Sequence, residues 1–151
     1  MGIAGYGIMA EMMGEKEIAD EYLSEAKAMA AKWESMANDG DHYKLTFDQA
    51  GTWSQKYNLI WDKLFASNIF ASDIATKEMS YYRTKQNKYG LPLDSRKTYT
   101  KSDWILWSAC LTDNPDDFKE LLVPVYNYAN ETTTRMPLSD WHETTDGSSV
   151  G

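Results

Sequence analysis

Between Glu15 and Asn38, apolar side chains recur at Ile18, Tyr22, Ala26, Met29, Trp33 and Met36, while Glu17, Glu21, Glu25 and Lys32 fall off that stripe. Spacings of four and three predict an amphipathic helix with one buried stripe and one wet face. Glu15 and Glu17 suit the positive end of the helix dipole, and Asn38-Asp39-Gly40 ends the element. The stripe needs a partner, and the preceding segment supplies one. Residues 3–13 are apolar or small almost all round, with Ile3, Tyr6, Ile8, Met9, Met12 and Met13, and predict a buried helix. Gly5 and Gly7 would let a neighbour approach closely, and Gly14 closes a very short turn.

The same arrangement returns twice. After a connector over 39–52, Thr52-Trp53-Ser54-Gln55 fits a capping box, and Trp53, Tyr57, Ile60, Trp61, Leu64 and Phe65 predict a second helix with a broad aromatic face. Ser72 then caps a more polar helix carrying Ile74, Glu78, Tyr81 and Tyr82. Gly90 and Pro92 forbid a helix through the next connector, 87–102. Thr100, Ser102 and Asp103 suit a helix start before the apolar run Trp104–Leu111. Asn114-Pro115-Asp116-Asp117 predicts a strong start for the last helix, with Phe118, Leu121, Leu122, Val125 and Ala129 as its stripe and Pro124 as a kink. A third connector, 132–151, contains Ser139-Asp140-Trp141, which echoes Ser102-Asp103-Trp104. Tyr43, Leu45 and Phe47 alternate with polar residues and predict a short strand in the first connector.

This degenerate repeat predicts an all-α chain of stacked antiparallel helical hairpins, over about 1–38, 53–86 and 103–131. In such a stack the short turns fall at one end and the long connectors at the other. The connectors 39–52, 87–102 and 132–151 should therefore share one rim, where a rigid scaffold presents chemistry.

A formal charge of −8 and a sequence pI near 4.7 argue against nucleic acid as a partner. No segment approaches the ~18 apolar residues of a membrane span. The single Cys110 lies in an apolar run and reads as a small buried hydrophobe. Asp39-Gly40-Asp41 lacks the calcium-loop pattern, His42 and His142 lack helical pairing for zinc, and neither a metal nor a cofactor is expected. Asn130-Glu131-Thr132 matches a glycosylation sequon, a pattern common by chance.

Three runs are more specific. Residues 43–58 (Tyr43-Lys44-Leu45-Thr46-Phe47-Asp48-Gln49-Ala50-Gly51-Thr52-Trp53-Ser54-Gln55-Lys56-Tyr57-Asn58), residues 85–96 and Pro137-Leu138-Ser139-Asp140-Trp141 resemble the C-terminal half of the glutaminase A family. The resemblance covers nearly the whole chain. It implies about three hairpins of an (α/α)6 toroid, a missing remainder of the parent, and hydrolysis of L-glutamine to L-glutamate and ammonia. It also implies an open toroid with an incomplete site, a fragment inactive by itself, and a secreted, periplasmic or cell-surface parent. No catalytic motif carries over residue by residue.

Candidate site residues therefore come from the rim. Amide hydrolysis needs a base to activate water, donors for the oxyanion and partners for the amino-acid head group. Asp94, Asp103 and Asp140 are the candidate catalytic carboxylates, with Asp48 a further acid of the connectors. Arg96, Lys97 and Arg135 are candidates for the substrate carboxylate, and Trp53, Tyr57, Trp104 and Trp141 for pocket walls. Each has a plain structural alternative. Asp103 and Asp140 could serve only at helix starts, Asp94-Ser95-Arg96 could be a turn with a local salt bridge, and Trp53 and Trp104 could be core.

Two rival functions remain. Toroids of this kind also carry glycosidases, in which two carboxylates flank a sugar bond and aromatic walls stack on the ring. The rim could instead grip a partner without catalysis. The expected partners are a small molecule (glutamine or a glycan), the rest of the parent domain, and other copies of this chain through exposed flanks of the inner helices.

Overall fold

The computed structural model describes residues 1–134 and 136–150. Its first two helices show why small residues matter here. Helix α1 (Gly2–Met12) buries only Ala4, Gly7 and Ala10, and α2 (Lys16–Ala37) buries Ala19, Ala26, Ala30 and Ala37. Ala4 clusters with Ala26 and Ala30, Tyr6 meets the Tyr22 ring at 4.7 Å, and Gly7 lies against Leu23. Rising positions on one helix meet falling positions on the other, so the pair is antiparallel. A Cβ at Gly7 would sit 2.9 Å from Leu23 Cγ, whereas one at Gly5 would meet nothing within 4 Å.

Two expectations are corrected by this packing. Helix α1 is not buried all round: Tyr6, Met9, Met12 and Met13 are exposed, because α2 covers only the face of small residues. In α2 the buried stripe is rotated by about one position. Alanines lie innermost and permit close approach, while Tyr22, Met29 and Met36 flank them in solvent.

The helix expected from the capping-box pattern begins later than that pattern predicts. Trp53–Lys56 are not helical, a 3₁₀ turn occupies Tyr57–Leu59, and α3 (Ile60–Leu64) follows directly. The Gln55 amide does not return to Thr52. It donates to the carbonyls of Leu91 (3.0 Å) and Pro92 (3.1 Å), and to Thr100 Oγ1 (3.2 Å). Helix α4 (Asp73–Arg83) starts after Ser72, but Ser72 has helical φ/ψ and makes no side-chain cap hydrogen bond, so the expected cap is not formed.

In the third hairpin, α5 (Ser102–Ala109) has Lys101 before its first residue and no side-chain cap, so Thr100 and Ser102 do not cap it. Asn114 does cap α6 (Pro115–Glu131), accepting from Asp116 N at 3.0 Å with Pro115 in the first turn. Cys110 is exposed rather than buried, because α5 ends just before it.

The chain is helix-rich but not purely helical. Strands β1 (Tyr99–Lys101) and β2 (Trp141–Glu143) pair antiparallel, with Thr100 opposite His142 and Lys101 opposite Trp141. They join the second and third connectors. The strand expected over 43–47 reduces to one bridge, Asn38 to Tyr43, because His42 and Tyr43 both turn inward. The first connector is stitched to the second: Gln55 N donates to Leu93 O, Ser95 N to Trp53 O, and Trp53 N to Ser95 Oγ. The three connectors thus form one continuous layer. Beneath it Trp53, Met79, Tyr82, Leu91, Ile105 and Leu121 make the largest core cluster. Gly90 is fixed there by a φ of +136° and by Ile105 Cδ1, which would lie 2.8 Å from any Cβ. No helix among the described residues is long and apolar enough to cross a membrane.

Candidate functional site

The connector layer ends where β1 turns into α5, and the rings gather there. Tyr57, delivered by the 3₁₀ turn, stacks on Trp104 in the first turn of α5, with centroids 4.5 Å apart and planes 9° apart. Trp107, one turn further, lies 6.1 Å from Tyr57 and 5.4 Å from Trp61 of α3. All four are half-buried.

Charge borders this slot on one side. Lys101 Nζ lies 5.5 Å from the Trp104 centroid and donates to Asp140 Oδ2 at 2.9 Å. The pair forms because Ser102 N donates to Asp140 O (2.8 Å), which brings the two Ser-Asp-Trp echoes side by side. The Lys101 ammonium holds the Asp140 carboxyl below the usual carboxylate range, and Asp140 in turn raises the Lys101 ammonium. Asp103, exposed in the first turn of α5, makes no ion pair among the described residues. Trp141, opposite Lys101 in the strand pair, packs edge-on against Tyr99 at 5.5 Å.

The structure thus brings together Tyr57, Trp104, Asp103, Asp140 and Trp141. Other candidates lie elsewhere. Asp94 is buried and clamped by its neighbour: Oδ1 accepts from Arg96 N (2.8 Å) and Nε (3.0 Å), and Oδ2 from the guanidinium (2.7 Å). Burial raises the Asp94 carboxyl, but the Arg96 bonds outweigh it, with help from Lys56, and leave it below the usual range. Arg96 therefore spends its fork on Asp94, while Lys97 projects into solvent. Asp48 is exposed in the first connector. Trp53 is core, 5.9 Å from Tyr81 and 6.4 Å from Tyr82. Arg135 lies outside the described residues.

Sequence reasoning missed Lys101. Nothing in its own position separates it from the other cations; only the echoed Ser-Asp-Trp, which places Asp140 beside it, could have pointed there.

Comparison with known proteins decides the family. A family model described as the glutaminase A six helical-hairpin domain matches residues 1–151. The chain belongs to the glutaminase A six-hairpin family. A probable glutaminase of Arthroderma benhamiae is 31% identical over 182 residues, covering 95% of this chain and 20% of that protein. Glutaminase A of Aspergillus oryzae is 29% identical over 153 residues, covering 97% of this chain and 22% of its own. The chain therefore spans about one fifth of the length of the curated relatives it matches. No solved structure matches it.

For this member of the glutaminase A family, the slot offers a defined chemistry. It sets an ammonium, a paired carboxylate and an unpaired carboxylate around half-buried aromatic rings. An amino acid has one charge of each sign on a single carbon, and a short apolar stem. A cation and an anion held side by side can each exchange part of their mutual bond for the opposite charge of such a head group. No three His, Cys, Asp or Glu side chains among the described residues are placed to hold a metal ion.

Proposed function

We propose that this chain supplies one wall of the active site of an L-glutamine amide hydrolase, built on about three hairpins of a six-hairpin toroid. The observation that carries the reading is the Lys101–Asp140 pair, 2.9 Å apart, with the Lys101 ammonium over the Trp104 ring of the Tyr57–Trp104 stack. In this reading Lys101 takes the substrate carboxylate, Asp140 takes the ammonium, and the ring faces cover the two methylenes. Asp103 accepts the proton of the attacking water, since it is the slot carboxylate not engaged by a cation among the described residues. The names of the two relatives support the substrate, and the match to about one fifth of their length supports a site finished by further hairpins of a longer parent.

Ammonia release from L-glutamine by the full-length parent tests this. Asp103→Asn should lower kcat by about 10²-fold or more, the scale of general-base loss. Lys101→Met and Asp140→Asn should act chiefly on KM. A folded parent that leaves glutamine untouched would refute the reading. The second reading, a glycosidase, is favoured by one observation: Trp61 and Trp107 prolong the ring surface beyond what one amino acid covers. In that case the same Asp103 and Asp140 variants should abolish cleavage of a glycoside instead.

A further inference from the structure

Behind the slot lies a cluster of ionisable groups that none of this chemistry uses. Glu78 of α4 is fully buried. Its Oε1 accepts from Tyr43 N at 2.7 Å, and its Oε2 has no hydrogen-bond partner among the described residues. Lys56, just before the 3₁₀ turn, is linked to it through Tyr43. Lys56 Nζ donates to Tyr43 O (3.0 Å), Ser54 O (2.9 Å) and Ser54 Oγ (2.9 Å), so the ammonium holds two backbone carbonyls and one hydroxyl. Lys56 N donates to the Tyr82 hydroxyl at 2.7 Å. Tyr82 is fully buried and lies one helical turn from Glu78 on the same face of α4. The next residue in the chain is Tyr57, the ring on which Trp104 stacks.

We propose that Glu78 is a positioning residue: its carboxylate, held on Tyr43 N beside the carbonyl that takes the half-buried Lys56 ammonium, fixes the Ser54–Lys56 path that delivers Tyr57 onto Trp104. An apolar side chain could fill the same space without leaving an orphaned carboxylate oxygen, so packing alone gives no reason for an acid here. Charge does. Burial opposes the Lys56 ammonium, and Glu78 and then Asp94 act to restore it. Burial likewise raises the Glu78 carboxyl, against Lys56, Tyr82, the Tyr43 N–H and His42. Those groups, with Glu34 on the Tyr43 hydroxyl at 3.1 Å, Lys77 over the Tyr43 ring at 4.3 Å and Asp73 near the same ring, are titratable neighbours of the cluster on α2, α4 and the connectors. The functional weight of this role rests on the slot being the substrate-facing feature.

The test separates the two claims. Stacked rings give a near-ultraviolet circular dichroism band, and the Tyr57-dependent part is the difference between the unsubstituted chain and Tyr57→Leu. That band should weaken on acidification between roughly pH 8 and pH 4, with its midpoint above the usual carboxylate range near ~4.3. In Glu78→Gln it should be weak throughout and no longer titrate, while the far-ultraviolet helical signal persists. Tyr82→Phe, which removes the acceptor of Lys56 N–H, should also weaken it and serves should Glu78→Gln not fold. In the full-length parent, Glu78→Gln should raise KM for glutamine about tenfold with kcat changed less than about twofold. A band that is flat with pH in the unsubstituted chain, or one that Glu78→Gln leaves intact and still titrating, overturns the positioning role whatever the substrate. An altered band in a parent inert to glutamine removes the glutamine reading and leaves the positioning role standing.

Discussion

Lys101 and Asp140 stand 39 positions apart in the chain and meet at 2.9 Å, because β1 and β2 end side by side. Both side chains remain partly in water, so the pair is placed for ligand exchange rather than for stability. Lys101→Met and Asp140→Asn should leave the thermal midpoint nearly unchanged while weakening substrate binding. Asp140 has a lowered carboxyl, so its small contribution is present above its unfolded value and is lost as pH falls through the folded one. Melts with and without about 0.5 M salt would check this: equal shifts in the variants and the unsubstituted chain would contradict a screened surface pair.

Asp94 and Arg96 make the opposite case. Three N–H bonds converge on one buried carboxylate, so Asp94→Asn should cost about 1 kcal/mol, at the low end for charged hydrogen bonds because Arg96 is largely solvated. The lowered carboxyl means that the unsubstituted chain holds this stabilisation above its unfolded value near ~3.9 and loses it as pH falls further. Denaturant midpoints from roughly pH 6 to pH 2 should therefore fall less steeply in Asp94→Asn. Because Asp94 lies outside the slot, glutamine hydrolysis by the parent should survive this substitution within severalfold. A loss as large as that of Asp103→Asn would move the catalytic centre.

How far the sequence foretold these features depends on the range of the interactions. Asn114-Pro115 announces α6 because a cap and a fixed φ act within one turn. Thr52–Gln55 carries an equally good local signature and still fails, because Gln55 is taken by carbonyls of Leu91 and Pro92, 36 and 37 positions away. The three-residue strands β1 and β2 have no period long enough to read, and their pairing depends on a contact between connectors. The α2 stripe was legible as a period but not in its phase, since alanine and methionine both count as apolar while only alanine allows the Gly7 approach. At the site, rings and acids could be named from their places in the connectors. The Asp94–Arg96 pair, two positions apart, was readable as a local salt bridge, whereas the Lys101–Asp140 pair was not, because its members are remote in the chain.

That phase gives a paired test. Gly5 and Gly7 lie in one helix and differ only in what faces them. At Gly5 a methyl group meets open space, so Gly5→Ala should stabilise the chain by about 0.5–1 kcal/mol through helix propensity. At Gly7 it would sit 2.9 Å from Leu23 Cγ, near the base of a packed side chain, so Gly7→Ala should lose about 1–3 kcal/mol to overpacking against the same gain. Chemical denaturation of the two variants should give shifts of opposite sign. Equal shifts would mean that α1 and α2 do not approach as closely as the Ala4 and Ala26 cluster indicates.

The other face of α1 carries the last prediction. Tyr6, Met9, Met12 and Met13 are exposed there, with Met12 82% and Met13 81% accessible, and Leu64 and Phe65 of the second hairpin are each 64% exposed. Single exposed apolar residues are ordinary, but a helix with most of its large side chains in water marks a surface that binds something. In the parent, further hairpins of the six-hairpin domain would cover it. In the 151-residue chain by itself the available cover is another copy, so size-exclusion chromatography with light scattering should show concentration-dependent association. Met9→Glu with Met12→Glu should shift the chain towards monomer without loss of helical signal, because neither side chain touches the Ala4, Gly7 and Ala10 face. A strictly monomeric profile at about 100 μM would show that burying this face gains too little to offset the ordering cost of association.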